Sequence, residues 1–208
     1  MSNVVIFSGW KSYEDRKALA SGQRPESGGV YTMYHGTHLK SARDIISNGF
    51  KPSADGLLGR GVYVSRNIEK AKCYPLQTDK KDSVVFKLKV RVGRVKKINS
   101  DTHPLQKSWH QNGYDCAWVP PKSNISSIKS GREEDCVWDP KRITVIDVAC
   151  CVDDAKRAEL RRLIRRRRKG EGQCDLCHQS GVPHDTRRCW ECGDFICCFQ
   201  AKHICKRD

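Results

Sequence analysis

Seven of the twelve cysteines in this 208-residue chain lie between Cys174 and Cys205, interspersed with His178, His184 and His203. Cysteines this dense form disulfide frameworks in small secreted domains, whereas thiols spaced by two residues among histidines are the pattern of metal ligation. Cys174 and Cys177 make one such pair and Cys189 and Cys192 another, followed by Cys197, Cys198, His203 and Cys205. Two thiolates at that spacing can share one tetrahedral zinc ion. A stretch running only from Cys174 to Asp208 is too short to fold on apolar burial alone, so the metal reading also supplies its stability. Ten candidate ligands against four per ion predict two zinc ions, with the pairing of ligands left open. The chain therefore divides into a main domain and a small metal-stabilised appendage. The other five cysteines, Cys73, Cys116, Cys136, Cys150 and Cys151, show no ligand spacing and read as buried free thiols.

Upstream of that appendage the composition is globular, and no apolar run approaches the roughly 18 residues that a membrane span requires. The apolar patch Val4 to Phe7 has no basic flank before it and is too short for a secretory signal. These features predict a cytoplasmic or nuclear protein with no membrane partner. The formal charge is +15, with 25 Lys and Arg against 15 Asp and Glu over residues 1–150 and 14 against 9 over 151–208. Lys156 to Lys169 alone holds nine basic residues and one acid, Glu159. Such a strip attracts phosphate backbones, which makes Arg161, Arg162, Arg165, Arg166, Arg167 and Arg168 candidate contacts to DNA or RNA. A solvated helix face or a nuclear-import signal is the alternative.

The pattern of the main domain is mixed. Tyr13 to Leu19 fits a short helix. Val30 to His35 is rich in β-branched and aromatic residues and predicts a strand ending at Gly36 and Thr37. Leu39, Ala42, Ile45 and Ile46 then recur at helical spacing, and Asn48 and Gly49 close that helix. A loop over Pro52 to Arg60, a short strand over Gly61 to Ser65 and a helical stretch from Asn67 to Tyr74 follow, the last halted by Pro75. From Val84 to Val92, Val, Phe and Leu alternate with Lys87, Lys89 and Arg91, so one face of that strand is buried and the other basic. Further strands are predicted at Tyr114 to Val119, Asp135 to Trp138 and Arg142 to Ala149, and a helix at Asp154 to Lys169. Many short strands with few short helices make an α+β domain rather than a doubly wound sheet. The expected organisation is a main domain over 1–150, a basic helix and linker over 151–172, and a cysteine-rich unit over 173–208.

Three separated segments carry a resemblance: Tyr34-His35-Gly36-Thr37, Gly59 to Ser65 with Tyr74 eleven residues after Tyr63, and Glu134 followed by Asp135 to Asp139. In this order and on these elements they resemble the signature segments of the diphtheria-toxin-like ADP-ribosyltransferases, which include the poly(ADP-ribose) polymerases. The likeness covers most of residues 29–146. Tyr34 to Phe50, with Trp109 to Pro120, resembles a virus-inducible antiviral branch of that superfamily. The resemblance implies split antiparallel sheets, NAD as substrate, and transfer of one ADP-ribose to a protein or nucleic-acid acceptor.

By the same resemblance His35 would bind the adenosine-side ribose, and the backbone of Gly36 would grip the nicotinamide carboxamide, with Thr37 completing the triplet. Tyr63 and Tyr74 would sandwich the nicotinamide ring, and Glu134 would bind the 2′-hydroxyl of the reacting ribose and stabilise positive charge on that sugar. His35, Tyr63 and Glu134 form the implied catalytic set. Because Glu133, Glu134 and Asp135 are adjacent, a slip of one residue reverses which side chain faces the site. Glu134 is favoured because it lies five before Asp139 and shares strand parity with Cys136 and Trp138. Two positions depart from the pattern: Asp135 stands where the family places an aromatic or aliphatic residue, and Ala71 where many relatives carry a serine. A pocket without activity, in a module that binds nucleic acid through its basic helix and tail, is the second hypothesis. A Rossmann fingerprint, a P-loop and a nucleophile elbow are absent from the sequence.

The tail from Cys174 to Cys205 resembles the cysteine-rich C-terminal finger of piggyBac-type transposases, which implies docking to nucleic acid or protein. Trp190, Phe195 and Phe199 either stack on bases or form the small core of the finger.

Overall fold

The computed structural model describes residues 3–5, 18–75, 79–123, 125–126, 128, 131–170, 186–188, 195–197 and 203–205. Along them run β1 (Asn3–Val5), β2 (Val30–His38), α1 (Leu39–Asn48), β3 (Val62–Val64), α2 (Ile68–Ala71), β4 (Ser83–Arg91), β5 (Val95–Lys97) and β6 (Cys116–Val119). They continue with β7 (Glu134–Val137), β8 (Ile143–Cys151), α3 (Asp154–Gly170), β9 (Thr186–Arg188), β10 (Phe195–Cys197) and β11 (His203–Cys205). The class is α+β.

Two sheets build the main body. One is three-stranded in the order β2-β4-β8 and antiparallel throughout, and the other is four-stranded in the order β3-β7-β6-β5. β4 is the central strand of the first, and the alternation read from the sequence holds as far as Val90: Val84, Phe86, Leu88 and Val90 are buried while Lys87 and Lys89 are only partly so. Arg91, expected on the basic face, is buried instead, its guanidinium donating to the Lys141 carbonyl. Met33, Phe86 and Leu88 pack into one core with Val62, Val64, Trp118 and Val137 of the second sheet. The opposite face of the second sheet buries Ala117, Val119 and Cys136 with Leu58, Ile98 and Trp109. Successive residues of β7 thus enter different surroundings, which decides the orientation of every side chain on it.

α1 buries Leu39, Ala42, Ile45 and Ile46 and ends at Gly49, whose φ of 86° suits a residue without a Cβ. α3 lies against β8 and α1, contributing Leu160 and Ile164 to the core. A fork from Arg43 on α1 to Glu159, 2.9 Å at both nitrogens, joins the two helices at the surface.

Several expectations are corrected. β2 does not stop at Gly36 but runs on to His38, because Gly36 and Thr37 keep pairing with Val85 and Val84. β5, which has no sequence signal beyond one valine between Arg94 and Lys96, pairs in parallel with β6. The stretch from Asn67 is helical only over Ile68–Ala71, where the Asn67 side chain accepts from the N–H groups of Glu69 and Lys70. The helix expected over Tyr13 to Leu19 falls mostly outside the described residues, and Ala18 forms a parallel bridge to Thr32 instead. β1 pairs with β11, so the start of the chain meets its cysteine-rich end, and β9 pairs with β10.

Candidate functional site

The two sheets touch where Tyr34 of β2 and Ser65 exchange backbone hydrogen bonds of 2.6 and 2.8 Å. Beyond that bridge β2 and β3 diverge, and α2 with the loop over residues 52–60 walls in a groove of about 310 Å³. His35, Gly36, Tyr63, Tyr74 and Glu134 line it. An adjoining cavity of about 370 Å³ shares His35 and Tyr63 and adds Thr37, Asp44 and Phe50. The residues singled out in three distant segments therefore meet at one site.

Gly36 owes its place to the strand and to a close approach. Tyr34 directs its N–H and C=O towards β3, and strand geometry turns those of the residue two further on to the same side, where β3 has departed. Gly36 thus presents a donor and an acceptor side by side along the groove. A Cβ there would overlap the carbonyl oxygens of Ala71 and Tyr74, so any larger residue forces α2 away.

His35 is half-buried, its ring edge-to-face with Phe50 at 5.1 Å, and its Nδ1 lies 2.8 Å from the carbonyl of Tyr63. A carbonyl only accepts, so Nδ1 carries the proton. Burial depresses the imidazole pKa below its usual value, outweighing that hydrogen bond. The ring is neutral at pH 7, and Nε2 is a lone-pair acceptor suited to a hydroxyl donor.

Tyr63 has its ring on the groove and its hydroxyl tied away from it. The hydroxyl donates to the Gly59 carbonyl at 2.7 Å and accepts from the Leu58 N–H at 2.9 Å. Burial pushes its pKa above the ordinary phenol value, so it stays protonated. Tyr74, 43% exposed, stands at the mouth, and partial burial followed by the charge of Glu134 raises its pKa.

Glu134 opens β7 opposite Val119, and its side chain, 17% exposed, shares the side of Cys136 and faces the groove. Asp135 turns inward and is fully buried. Its departure from an apolar residue is explained by Arg66, which forks onto it with contacts of 3.1 and 3.2 Å and also reaches Glu133 at 3.1 Å. Burial raises the Asp135 pKa to about 6 against the opposing pull of Arg66. Ala71 lines the groove with no hydroxyl to offer.

Sequence reasoning missed Lys70 and Arg66. The Lys70 ammonium lies 3.2 Å from Glu134 Oε1 and donates to the Glu133 carbonyl at 2.6 Å. A lysine four before Tyr74 has no local signal, and only the tertiary fold, with α2 seated on β2, brings it to the acid.

A larger cavity of about 480 Å³ lies between α1, β8 and α3, lined chiefly by Ile45, Phe50, Ile143, Val145 and Ile164. Its one acid, Asp139, caps the Lys141 N–H, so no reactive groups converge there.

The basic strip is less uniform than its sequence. Arg161 is spent on Asp147, at 2.7 and 3.2 Å, and on the Val148 carbonyl, while Arg167 holds the Ile45 and Ile46 carbonyls at the end of α1. Both make hydrogen bonds within the protein while remaining partly or largely exposed. Arg162, Arg165 and Arg166 are exposed, and the side chain of Arg168 lies outside the described residues. Of the metal candidates, Cys174, Cys177, Cys189, Cys192 and Cys198 also lie outside them. Cys197 is buried on β10, and His203 and Cys205 are placed by backbone alone on β11. Among the described residues no cluster of three or more His, Cys, Asp or Glu could hold a metal, and no helix is long and apolar enough to cross a membrane.

Comparison with known proteins fits this geometry. The poly(ADP-ribose) polymerase catalytic domain matches residues 7–151, which include every residue that lines the groove. The protein mono-ADP-ribosyltransferase PARP3 of Gallus gallus is 32% identical over 85 residues, covering 40% of this chain. The shared stretch spans only 16% of that relative's length. On a family match that runs from ahead of β2 to the end of β8, this chain belongs to the poly(ADP-ribose) polymerase catalytic-domain family.

Proposed function

We propose that this chain is an ADP-ribosyltransferase that cleaves the bond between nicotinamide and ribose in NAD and passes one ADP-ribosyl unit to a protein or nucleic-acid acceptor. The observation that carries the reading is the convergence of His35, Gly36, Tyr63, Tyr74 and Glu134 on one groove. The residues fit the ligand. Gly36 offers an N–H and a C=O in the spacing that a carboxamide can answer, and nothing but hydrogen on its Cα leaves room for that approach. Tyr63 and Tyr74 offer ring faces for a flat aromatic ring, each contact worth about 1 kcal/mol beyond its buried area. His35 accepts from a ribose hydroxyl through Nε2, a role its neutral state permits.

Bound NAD supplies a sugar carbon that becomes cationic as its bond to nicotinamide breaks, the electron pair leaving on the nicotinamide ring. Glu134 places a carboxylate beside that carbon, the term that lowers the barrier most in a site of this kind. Lys70 engages Oε1 of Glu134, which fixes the carboxylate's orientation and leaves Oε2 for the 2′-hydroxyl of the ribose. When an acceptor hydroxyl, carboxylate or amine forms the new bond to the sugar carbon, Glu134 is also the nearest base for any proton released. The test is incubation of the full chain with labelled NAD and candidate protein and RNA acceptors. Transfer by the wild type that Glu134→Gln abolishes supports the reading, and no transfer to any acceptor refutes it.

Two observations favour a second reading, a pocket without turnover in a nucleic-acid-binding module: Ala71 contributes no hydroxyl to the groove, and Arg162, Arg165 and Arg166 are exposed on α3. Salt-sensitive RNA retention without label transfer would select it. For the tail we propose two zinc ions drawn from Cys174, Cys177, Cys189, Cys192, Cys197, Cys198, His203 and Cys205, supported by the paired spacing. Metal analysis finding fewer than about two zinc ions per chain would exclude it.

A further inference from the structure

We propose that Arg66 is a positioning residue for Glu134, holding it on line through a buried fork to the two acids on either side of it, Glu133 and Asp135. The inference rests on the transferase reading and concerns a device that this chain's own departure at position 135 makes possible.

Arg66 lies two residues beyond the end of β3, and its side chain is 2% exposed. Nε and one terminal nitrogen grip the two oxygens of Asp135 at 3.2 and 3.1 Å, and the other terminal nitrogen reaches Glu133 Oε2 at 3.1 Å. That same nitrogen meets the carbonyls of Ala20 and Gln23, and the guanidinium lies 5.4 Å from the Trp118 ring centroid. The Trp118 indole N–H donates to the same Glu133 oxygen at 3.1 Å. A planar cation held through all three of its nitrogens is a rigid anchor.

Strand alternation converts that anchor into control of the groove. Glu133 and Asp135 point to one side of β7 and Glu134 to the other. With both flanking side chains fixed to one guanidinium, β7 cannot rotate about its axis or slip, and the carboxylate between them is aimed at Tyr63 and Tyr74. The charge count also matters. Three successive acids meet two buried cations, Arg66 behind the strand and Lys70 in front of it. Arg66 bridges the flanking pair and offsets one of its two charges, so Lys70 is left to Glu134. Were Arg66 lost, two buried carboxylates would have no cation except Lys70, and both would compete with Glu134 for it. An ammonium in place of the guanidinium keeps the charge but cannot span Asp135 and Glu133 together.

The experiment uses Arg66→Lys and Asp135→Asn in the full chain, with melting curves to establish that each variant is folded. Release of nicotinamide from NAD is followed together with binding of free nicotinamide, and crystal structures report the distance from Lys70 Nζ to Glu134 Oε1. The expected result is a fall in kcat on the order of 10- to 100-fold, with KM for NAD and nicotinamide affinity within about twofold of wild type, and with Glu134 displaced from Lys70. A merely structural role would lower the melting temperature without that separation of kcat from KM. Wild-type kcat in either folded variant overturns the proposal. If the wild type releases no nicotinamide, the transferase reading fails, and the crystal structures decide this inference alone: Glu134 staying beside Lys70 in Arg66→Lys overturns it, and its displacement sustains it.

Discussion

Replacing Tyr63 by phenylalanine separates the two jobs of that residue, because the ring faces the groove while the hydroxyl works behind it. The hydroxyl makes two hydrogen bonds, from the Leu58 N–H at 2.9 Å and to the Gly59 carbonyl at 2.7 Å. A hydrogen bond of this kind contributes about 0.5–1.5 kcal/mol net, and more when its loss leaves a buried partner unsatisfied. Leu58 is fully buried and its carbonyl is already held by the Trp109 indole at 2.7 Å, so its N–H has little access to water. Gly59 is buried as well, so its carbonyl also loses a partner that water does not readily replace. The expected destabilisation is therefore about 2 kcal/mol. In urea, with a slope of about 2 kcal/mol per molar, the midpoint should fall by about 1 M with the slope unchanged, and the melting temperature by about 4–8 °C. Because the loop over residues 52–60 forms one wall of the groove, KM for NAD should rise several-fold while kcat stays within about twofold. An unchanged urea midpoint would show that the hydroxyl does not hold the loop. A tenfold loss of kcat at constant KM and stability would make the hydroxyl part of the chemistry, contrary to the geometry.

Gly36→Ala should weaken nicotinamide binding by at least about tenfold, as the new methyl displaces α2 from its contact; calorimetry that finds wild-type affinity in a folded variant would refute the close approach. Ala71→Ser restores a hydroxyl to the groove and should tighten nicotinamide binding by about two- to tenfold, one net hydrogen bond, readable in the same titration. The Asp135 carboxyl is raised from 3.8 to about 6 in the fold, so the native state binds a proton that the unfolded chain has released. Its contribution is present below pH 3.8 and lost as pH rises through 6. Urea titrations should therefore show wild type losing stability relative to Asp135→Asn across that window, and parallel profiles would contradict the assignment. Arg161→Ala should lower the urea midpoint only slightly, through loss of its partly exposed fork to Asp147, and leave RNA retention unchanged. Joint replacement of Arg162, Arg165 and Arg166 should instead reduce retention and its salt slope, measured by filter binding at several salt concentrations.

Local patterns survived translation into structure where they were self-sufficient. The alternation on β4 and the helical spacing of Leu39, Ala42, Ile45 and Ile46 each mark a face that must be buried whatever packs against it. β5 escaped because a three-residue strand takes its identity from the neighbour it pairs with, here Cys116 to Trp118. The arginines of α3 look alike in sequence and differ in fate because Asp147 and the end of α1 lie within reach of only some of them.

From sequence alone came the α+β class, the order of the signature segments and the names of His35, Gly36, Tyr63, Tyr74 and Glu134, since residue type and spacing are local properties. Why an aspartate is tolerated at 135, and which lysine and arginine stand on either side of Glu134, were decided by the tertiary structure. The physical reason is that buried charge must find its partner across the sheet: Arg66 lies 69 residues from Asp135 along the chain, and only the pairing of β3 with β7 brings them together.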